Sequence, residues 1–271
     1  MIALPPRWLI TDLDCTLLNS ASQLSDYAVG VLRRAQSAGL GVLLASGRMI
    51  PSMWPHVRRI GSPLPFVACN GAQIAQAGTQ QVIYTDYVPT DAAREAALAL
   101  EEAGCYFHFY SGGAYYFAQP TPESDAYRQT SGVQGYPIGG PLSRRIDAPV
   151  IKMLAVAQPP VVARLLPLLR QRFAGRLYIT DSAVPHARYI EITHVTATKG
   201  NALLWLCDHL GADPADVVAF GDGGNDVTML RAAGTSVAVA NASPEAKTAA
   251  AHVCETNDRD GVVRYIEKNL L

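Results

Sequence analysis

The chain has 271 residues, of which 49% are apolar, and a formal net charge of −1 at pH 7. That length accommodates one large α/β domain or a core with a smaller second domain, and the composition is that of a folded globular protein rather than a disordered or fibrous one. With 22 basic against 23 acidic residues, no broad basic field is available to attract nucleic acid or an anionic membrane surface, so neither is expected as a partner.

The five cysteines, Cys15, Cys69, Cys105, Cys207 and Cys254, are scattered and form no CxxC pair. They suggest neither a disulfide framework nor a zinc site, and free thiols fit a reducing compartment. No stretch approaches ~20 uninterrupted apolar residues, and residues 1–7 lead straight into a strand pattern, so a cytoplasmic protein is expected.

In chain order, residues 8–11 form a short apolar run that ends at Asp12. A helix follows, with Ser25 as N-cap, Leu32 and Ala35 inward and Gly39 as its stop. Residues 41–45 make a second buried strand that ends in Ser46-Gly47-Arg48, and 65–69 a third that ends in Asn70-Gly71. The middle of the chain reads differently. Strand patterns at 82–88, 106–110, 114–118, 150–156, 177–180 and 189–193, with helices near 91–103 and 160–173, predict an antiparallel α+β insert. Residues 127–141, rich in Gly, Ser and Pro, mark a loop. After the insert, 217–220 runs into Gly221-Asp222 and 236–240 into Asn241.

Alternating strands and helices build a parallel sheet whose ligands bind beyond the carboxyl ends of the strands. Asp12, Ser46, Asn70 and Asp222 are therefore expected to converge. The core is placed at 1–82 and 191–271, and the insert at 83–190.

The chemistry sits at those strand ends. Asp12-Leu13-Asp14-Cys15-Thr16 offers two carboxylates one residue apart. A carboxylate that attacks phosphorus needs a cation to screen it and a proton donor for the leaving oxygen, which two aspartates and a metal supply. Taken alone, the same residues serve as a turn or helix cap. Gly221-Asp222-Gly223-Gly224-Asn225-Asp226 suits a hard, oxygen-ligated cation such as Mg²⁺, or is simply a glycine-rich turn. Ser46 can offer a hydroxyl, and Lys199 a compact positive charge, to a transferring phosphoryl group. The aromatic series at 106–117 reads as core of the insert rather than as a base-stacking platform. His186 and His194 lie near enough to the motifs to reach substrate, although packing or surface roles suit them better.

DLDCTLL, SGR with Ser46, TKG with Lys199, and GDGGND together resemble, in order, the four motifs of the haloacid dehalogenase-like (HAD) hydrolase superfamily. CNGA at 69–72 and YIEIT at 189–193 look like its Cof-type subfamily, in which a type IIB cap fills the long insert. The resemblance implies a Rossmann-like parallel-sheet α/β core with an inserted α+β cap domain. It also implies a phosphatase of small phosphate esters: sugar phosphates first, then flavin mononucleotide or pyridoxal phosphate. Asp12 would become the aspartyl-phosphate, and Asp14 would be general acid and then base. Mg²⁺ would be held by Asp12, the Asp14 carbonyl, Asp222 and Asp226. Ser46 and Lys199 would bind phosphoryl oxygens, Asn225 would orient the acidic loop, and Arg48, Asn70 and Gly71 would line the substrate site. Two positions depart from the family pattern: Cys15 stands where Gly is usual, a small side chain expected to be buried, and Gly223 where many relatives have Ser. A phosphomutase of the same fold and a non-catalytic sugar-phosphate sensor stay open. A related phosphoryl-transfer ATPase is disfavoured by Asp14 and the absence of long apolar runs. The oligomeric state is not legible.

Overall fold

A computed structural model describes residues 8–184 and 187–271. Strands β1 (Trp8–Thr11), β2 (Gly41–Leu44), β3 (Phe66–Ala68), β4 (Gln73–Ala75) and β5 (Val82–Thr85) occupy the first part of the chain, with helices α1 (Asp26–Ser37) and α2 (Ile50–Ile60). Next come α3 (Thr90–Glu102), β6 (Tyr106–Ser111), β7 (Ala114–Phe117), α4 (Pro122–Ser131), β8 (Gly135–Pro137), β9 (Lys152–Ala157), α5 (Pro159–Arg172), β10 (Leu177–Val184) and β11 (Ala187–His194). The last part holds α6 (Lys199–Leu210), β12 (Val217–Gly221), α7 (Val227–Ala232), β13 (Thr235–Ala238), α8 (Pro244–Ala249), β14 (His252–Val253) and α9 (Gly261–Asn269). The chain divides into two compact units. One comprises the chain up to Gly47, Met53–Ile83 and Thr198–Leu271; the other comprises Arg48–Ser52 and Tyr84–Ala197.

In the first unit a sheet runs in the order β14-β13-β12-β1-β2, parallel throughout. Its central strands are apolar at successive positions, and Leu9, Ile10, Val217 and Phe220 are all fully buried, as strands covered on both faces require. Each such side chain contributes about 1.5–3 kcal/mol by leaving water. Helix α1 begins where Ser25 accepts a hydrogen bond from the Ala28 N–H, buries Ala28, Leu32 and Ala35, and stops just before Gly39, whose φ is +94°. A small separate sheet, β3-β4-β5, is joined to the end of β2 by a parallel bridge between Ala45 and Val67.

The second unit is an α+β sheet in the order β10-β11-β9-β6-β7-β8, antiparallel except where β8 lies parallel to β7. Strand alternation sorts its faces. Phe107 and Phe109 pack with Met153, Ile190 and Ile192 in one apolar core with Ala96 and Leu100 of α3 and Leu165 and Leu169 of α5. On the alternate positions of β6 stand Tyr106, His108 and Tyr110, with Lys152 opposite Tyr110. The aromatic series is thus apolar core on one face and a polar cluster on the other.

Two sequence expectations need correction. Residues 127–141 are not loop throughout: α4 continues to Ser131, and β8 takes up Gly135–Pro137. Thr121 and Ser124 cap the start of α4 reciprocally, Pro122 opens it, and Gly132 in the left-handed conformation ends it. The far boundary of the insert also falls later than residue 190. Strand β11 runs on to His194, held by β10 along its whole length, and the unit closes at Ala197.

Candidate active site

Backbone hydrogen bonds in the first unit align the strand ends. The Asp12 N–H donates to the Phe220 carbonyl and the Ala45 N–H to the Thr11 carbonyl, both at 3.0 Å. At the same distance the Ser46 N–H donates to Val67, and the Asn70 N–H to Ser46. Asp12, Ser46, Asn70 and Asp222 therefore leave neighbouring strands at one edge of the sheet, where a parallel sheet presents its functional groups.

Lys199 opens α6 behind the N-cap Thr198, whose hydroxyl accepts from the Asn201 N–H. Its ammonium donates to Asp12 Oδ1 at 2.5 Å and to Asp226 Oδ1 at 2.6 Å, and the side chains of Lys199 and Asp226 are fully buried. The other oxygen of Asp226 accepts from the backbone N–H groups of Asp222 and Gly223, each at 2.9 Å, which folds the acidic loop around it. Asp222 Oδ1 in turn accepts from the Thr16 hydroxyl at 2.8 Å. Thr16 had no place among the expected site residues, although it belongs to the same DLDCT string. Carboxylate oxygens of Asp12, Asp222 and Asp226 all lie within 4.8 Å of one another.

The remaining candidates are placed as follows. Asp14 is half-buried two residues beyond Asp12. Ser46 is buried at the end of β2, and Arg48 follows it half-buried. Asn70 is buried and its Oδ1 accepts from Asn225 Nδ2 at 3.0 Å; Gly71 is buried beside it. His194 belongs to the second unit, where Nδ1 lies 2.6 Å from the Thr196 hydroxyl, which donates to Asp86 at 2.5 Å. His186 lies outside the described residues. Cys15 is exposed rather than buried, and its φ of 57° puts it in the left-handed region, where glycine is at ease and a side chain is not. Its carbonyl accepts from Asn241 Nδ2 at 2.8 Å, so the loop after β13 supports the one after β1. Although the residue as a whole is exposed, its sulfur is partly desolvated, and this, followed by the charges of Asp222, Asp12 and Asp14, pushes the Cys15 thiol up to about 11.

The electrostatics follow from crowding three carboxylates around one ammonium. Burial holds the Asp12 carboxyl well above its ordinary range; Lys199 opposes this, while Asp226, Asp222 and Asp14 add to it. Asp222 is pushed up to about 7 by burial and by Asp226, against the pull of Thr16 and Lys199. Burial disfavours the charge on Lys199, but Asp12 and Asp226 more than reverse this and keep it an ammonium. The cluster gathers more negative charge than Lys199 balances, and all its donors are hard oxygens. Both features fit a divalent cation of the Mg²⁺ type.

The haloacid dehalogenase-like hydrolase family profile matches residues 9–266. The pyridoxal phosphate phosphatase YbhA of Escherichia coli is 26% identical over 275 residues, covering 98% of this chain and 99% of that protein. The solved structure of a haloacid dehalogenase-like hydrolase from Bacillus subtilis superposes with a TM-score of 0.85 at 27% identity, covering 98% of this chain and 100% of the other. The fold is shared as well by a subclass IIB sugar phosphatase of the same superfamily, at a TM-score of 0.82 and 24% identity, covering 97% and 98% of the two chains. The chain belongs to the haloacid dehalogenase-like hydrolase family, and within it to the Cof-type proteins. It is accordingly an enzyme of the hydrolase class. Among the described residues, no helix is long and apolar enough to cross a membrane.

Proposed function

We propose that the chain is a Mg²⁺-dependent phosphatase of small phosphorylated metabolites that carries the phosphoryl group transiently on Asp12. The observation that supports it most is the Lys199 ammonium bridging Asp12 and Asp226, with Asp222 beside them. Such a cluster offers a nucleophile, a fixed positive charge and a hard-cation site together. Bound Mg²⁺, held by Asp12, the Asp14 carbonyl, Asp222 and Asp226, would supply positive charge that screens the phosphate from the attacking carboxylate.

The residues then divide the work. An Asp12 oxygen attacks phosphorus as the bond to the leaving oxygen breaks, and Asp14 gives that oxygen its proton. Water attacks the aspartyl-phosphate, Asp14 takes the proton back, and inorganic phosphate leaves with the Asp12 carboxylate restored. Ser46 and Lys199 hold the equatorial oxygens, where charge is spread in the transition state. The second unit acts as the cap, and contacts from it, Arg48 among them, choose the leaving group. Sugar phosphates head the substrate class, with flavin mononucleotide and pyridoxal phosphate beside them; the activity named for the Escherichia coli relative supports a small phosphate ester. The five cysteines, none of them in a disulfide, fit a reducing cytoplasm.

Phosphate release from a panel of sugar phosphates, flavin mononucleotide and pyridoxal phosphate, with Mg²⁺ and with chelator, tests this reading. Turnover of several panel members that stops in chelator and returns with Mg²⁺ is expected. Dependence on a bisphosphate activator would favour a mutase instead. Binding of sugar phosphates with no turnover would favour a sensor.

A further inference from the structure

We infer that the Cys69-Asn70-Gly71 turn is a positioning element that fixes Lys199 and the Asp222–Asp226 loop relative to Ser46. The inference rests on the phosphatase reading above and gives two of its residues a different role, in which Asn70 and Gly71 brace the machinery rather than touch substrate.

The turn has an unusual backbone. Three successive residues have positive φ: Cys69 at 52°, Asn70 at 59° and Gly71 at 103°. Asparagine visits this region at little cost and glycine at none, but a buried cysteine does so only where its surroundings hold it. Those surroundings belong to the other site segments. On one side the Asn70 N–H donates to the Ser46 carbonyl at 3.0 Å. On another, Asn70 Oδ1 accepts from Asn225 of the acidic loop at 3.0 Å. On the third, Gly71 lies directly against Thr198: a Cβ at Gly71 would fall 2.3 Å from the Thr198 carbonyl oxygen and 2.5 Å from its carbon.

Thr198 is the N-cap of α6, and its carbonyl accepts from the Ala202 N–H. Whatever moves Thr198 therefore moves Lys199, the next residue, away from Asp12 and Asp226. The acidic loop is shaped for its side of the link as well. A Cβ at Gly223 would fall 2.7 Å from Asn225 Oδ1, so glycine there leaves the Asn225 side chain free to sit where it reaches Asn70. One turn thus meets the segments of Ser46, Lys199 and Asp222–Asp226.

Three variants of the full chain test this: Gly71→Ala, Asn70→Gly and Asn70→Asp. Steady-state kinetics with p-nitrophenyl phosphate, glucose 6-phosphate and pyridoxal phosphate would be paired with amide hydrogen exchange at Asn201 and Ala202. A misplacement near 1 Å costs roughly 10²-fold, so Gly71→Ala should lower kcat on that order, by the same factor for all three substrates and with KM little changed. The Asn201 and Ala202 amides should exchange faster. Asn70→Gly keeps the backbone and loses the link to Asn225, giving a smaller but equally uniform loss; Asn70→Asp retains an acceptor oxygen and should recover most of it. If Gly71→Ala fails to fold, the Asn70 pair decides. Loss factors that differ among the substrates would make these residues leaving-group contacts and overturn the inference, as would a Gly71→Ala protein with wild-type kcat and exchange. A wild type inactive on all three substrates would sink the phosphatase reading instead, and the exchange comparison would still decide the brace.

Discussion

Lys199 Nζ lies 2.6 Å from Asp226 Oδ1 with both side chains wholly buried, and the same ammonium reaches Asp12 at 2.5 Å. Removing it leaves two buried carboxylates facing each other without compensation. Breaking a buried pair in this way typically costs about 3–5 kcal/mol. Lys199→Met should lower the free energy of unfolding by that order in chelator and recover part of it in Mg²⁺, which returns positive charge to the same carboxylates. Turnover should fall by at least ~10²–10³-fold, as when a fixed group that stabilises developing charge is removed. Urea denaturation with and without Mg²⁺ checks the first expectation, and kcat on p-nitrophenyl phosphate the second.

The convergence of Asp12, Ser46, Asn70 and Asp222 was legible because a buried parallel strand announces itself as an apolar run, and the residue after such a run lies at the ligand-binding edge of the sheet. What was not legible depends on partners distant in sequence. Lys152 and Glu191 form a buried ion pair in the second unit, yet each alone reads as a solvated charge. The left-handed backbones of Cys15 and Cys69 carry no signal in residue type, since they are imposed by what surrounds them. Helix α4 was hidden in part by its own stop signal: among the Gly, Ser and Pro that read as loop, Gly132 is the residue that ends the helix.

His108 is fully buried, 3.2 Å from the Tyr106 hydroxyl and 3.4 Å from that of Tyr110, with its ring against Tyr115 and Tyr127. Burial, and secondarily the charge of Lys152, hold its pKa well below the ordinary 6.5. The folded protein therefore keeps His108 neutral where the unfolded chain takes up a proton. This share of stability is complete above the unfolded value and is lost as pH falls below it, by up to ~1.4 kcal/mol per pH unit for one group. The urea midpoint of the wild type should thus drop more than that of His108→Phe between about pH 7.5 and about pH 5.5. Equal drops would show that His108 does not carry this proton linkage.

Cys15 offers a simpler substitution. An L-residue in the left-handed region costs roughly 1–2 kcal/mol, while the extra freedom of glycine in the unfolded chain returns about 0.4–1 kcal/mol of that. Cys15→Gly should therefore raise stability by about 1 kcal/mol or less and keep kcat, because the Asn241 hydrogen bond is to the backbone carbonyl and survives the change. Thermal unfolding and steady-state turnover of the variant measure both. A fall in kcat would give the thiol a working part.

Asp14→Asn separates the two chemical steps proposed for the site. The substitution keeps the size of the side chain and leaves the backbone carbonyl in place, but the amide can neither give a proton to the leaving oxygen nor take one from water. With a sugar phosphate, whose alkoxide leaves reluctantly, both steps lose general acid–base assistance, typically worth ~10²–10⁴-fold. With an aryl phosphate the leaving group departs with little help, so attack by Asp12 should persist while hydrolysis of the aspartyl-phosphate stays slow. Phosphoenzyme should then accumulate, visible as one added phosphate in intact-protein mass spectrometry and mapping to the peptide that contains Asp12. The Asp12→Asn, Asp14→Asn double variant has no nucleophile and should show none. Turnover of Asp14→Asn at the wild-type rate, or a phosphate that maps to any other residue, would remove Asp14 from proton transfer or Asp12 from attack at phosphorus.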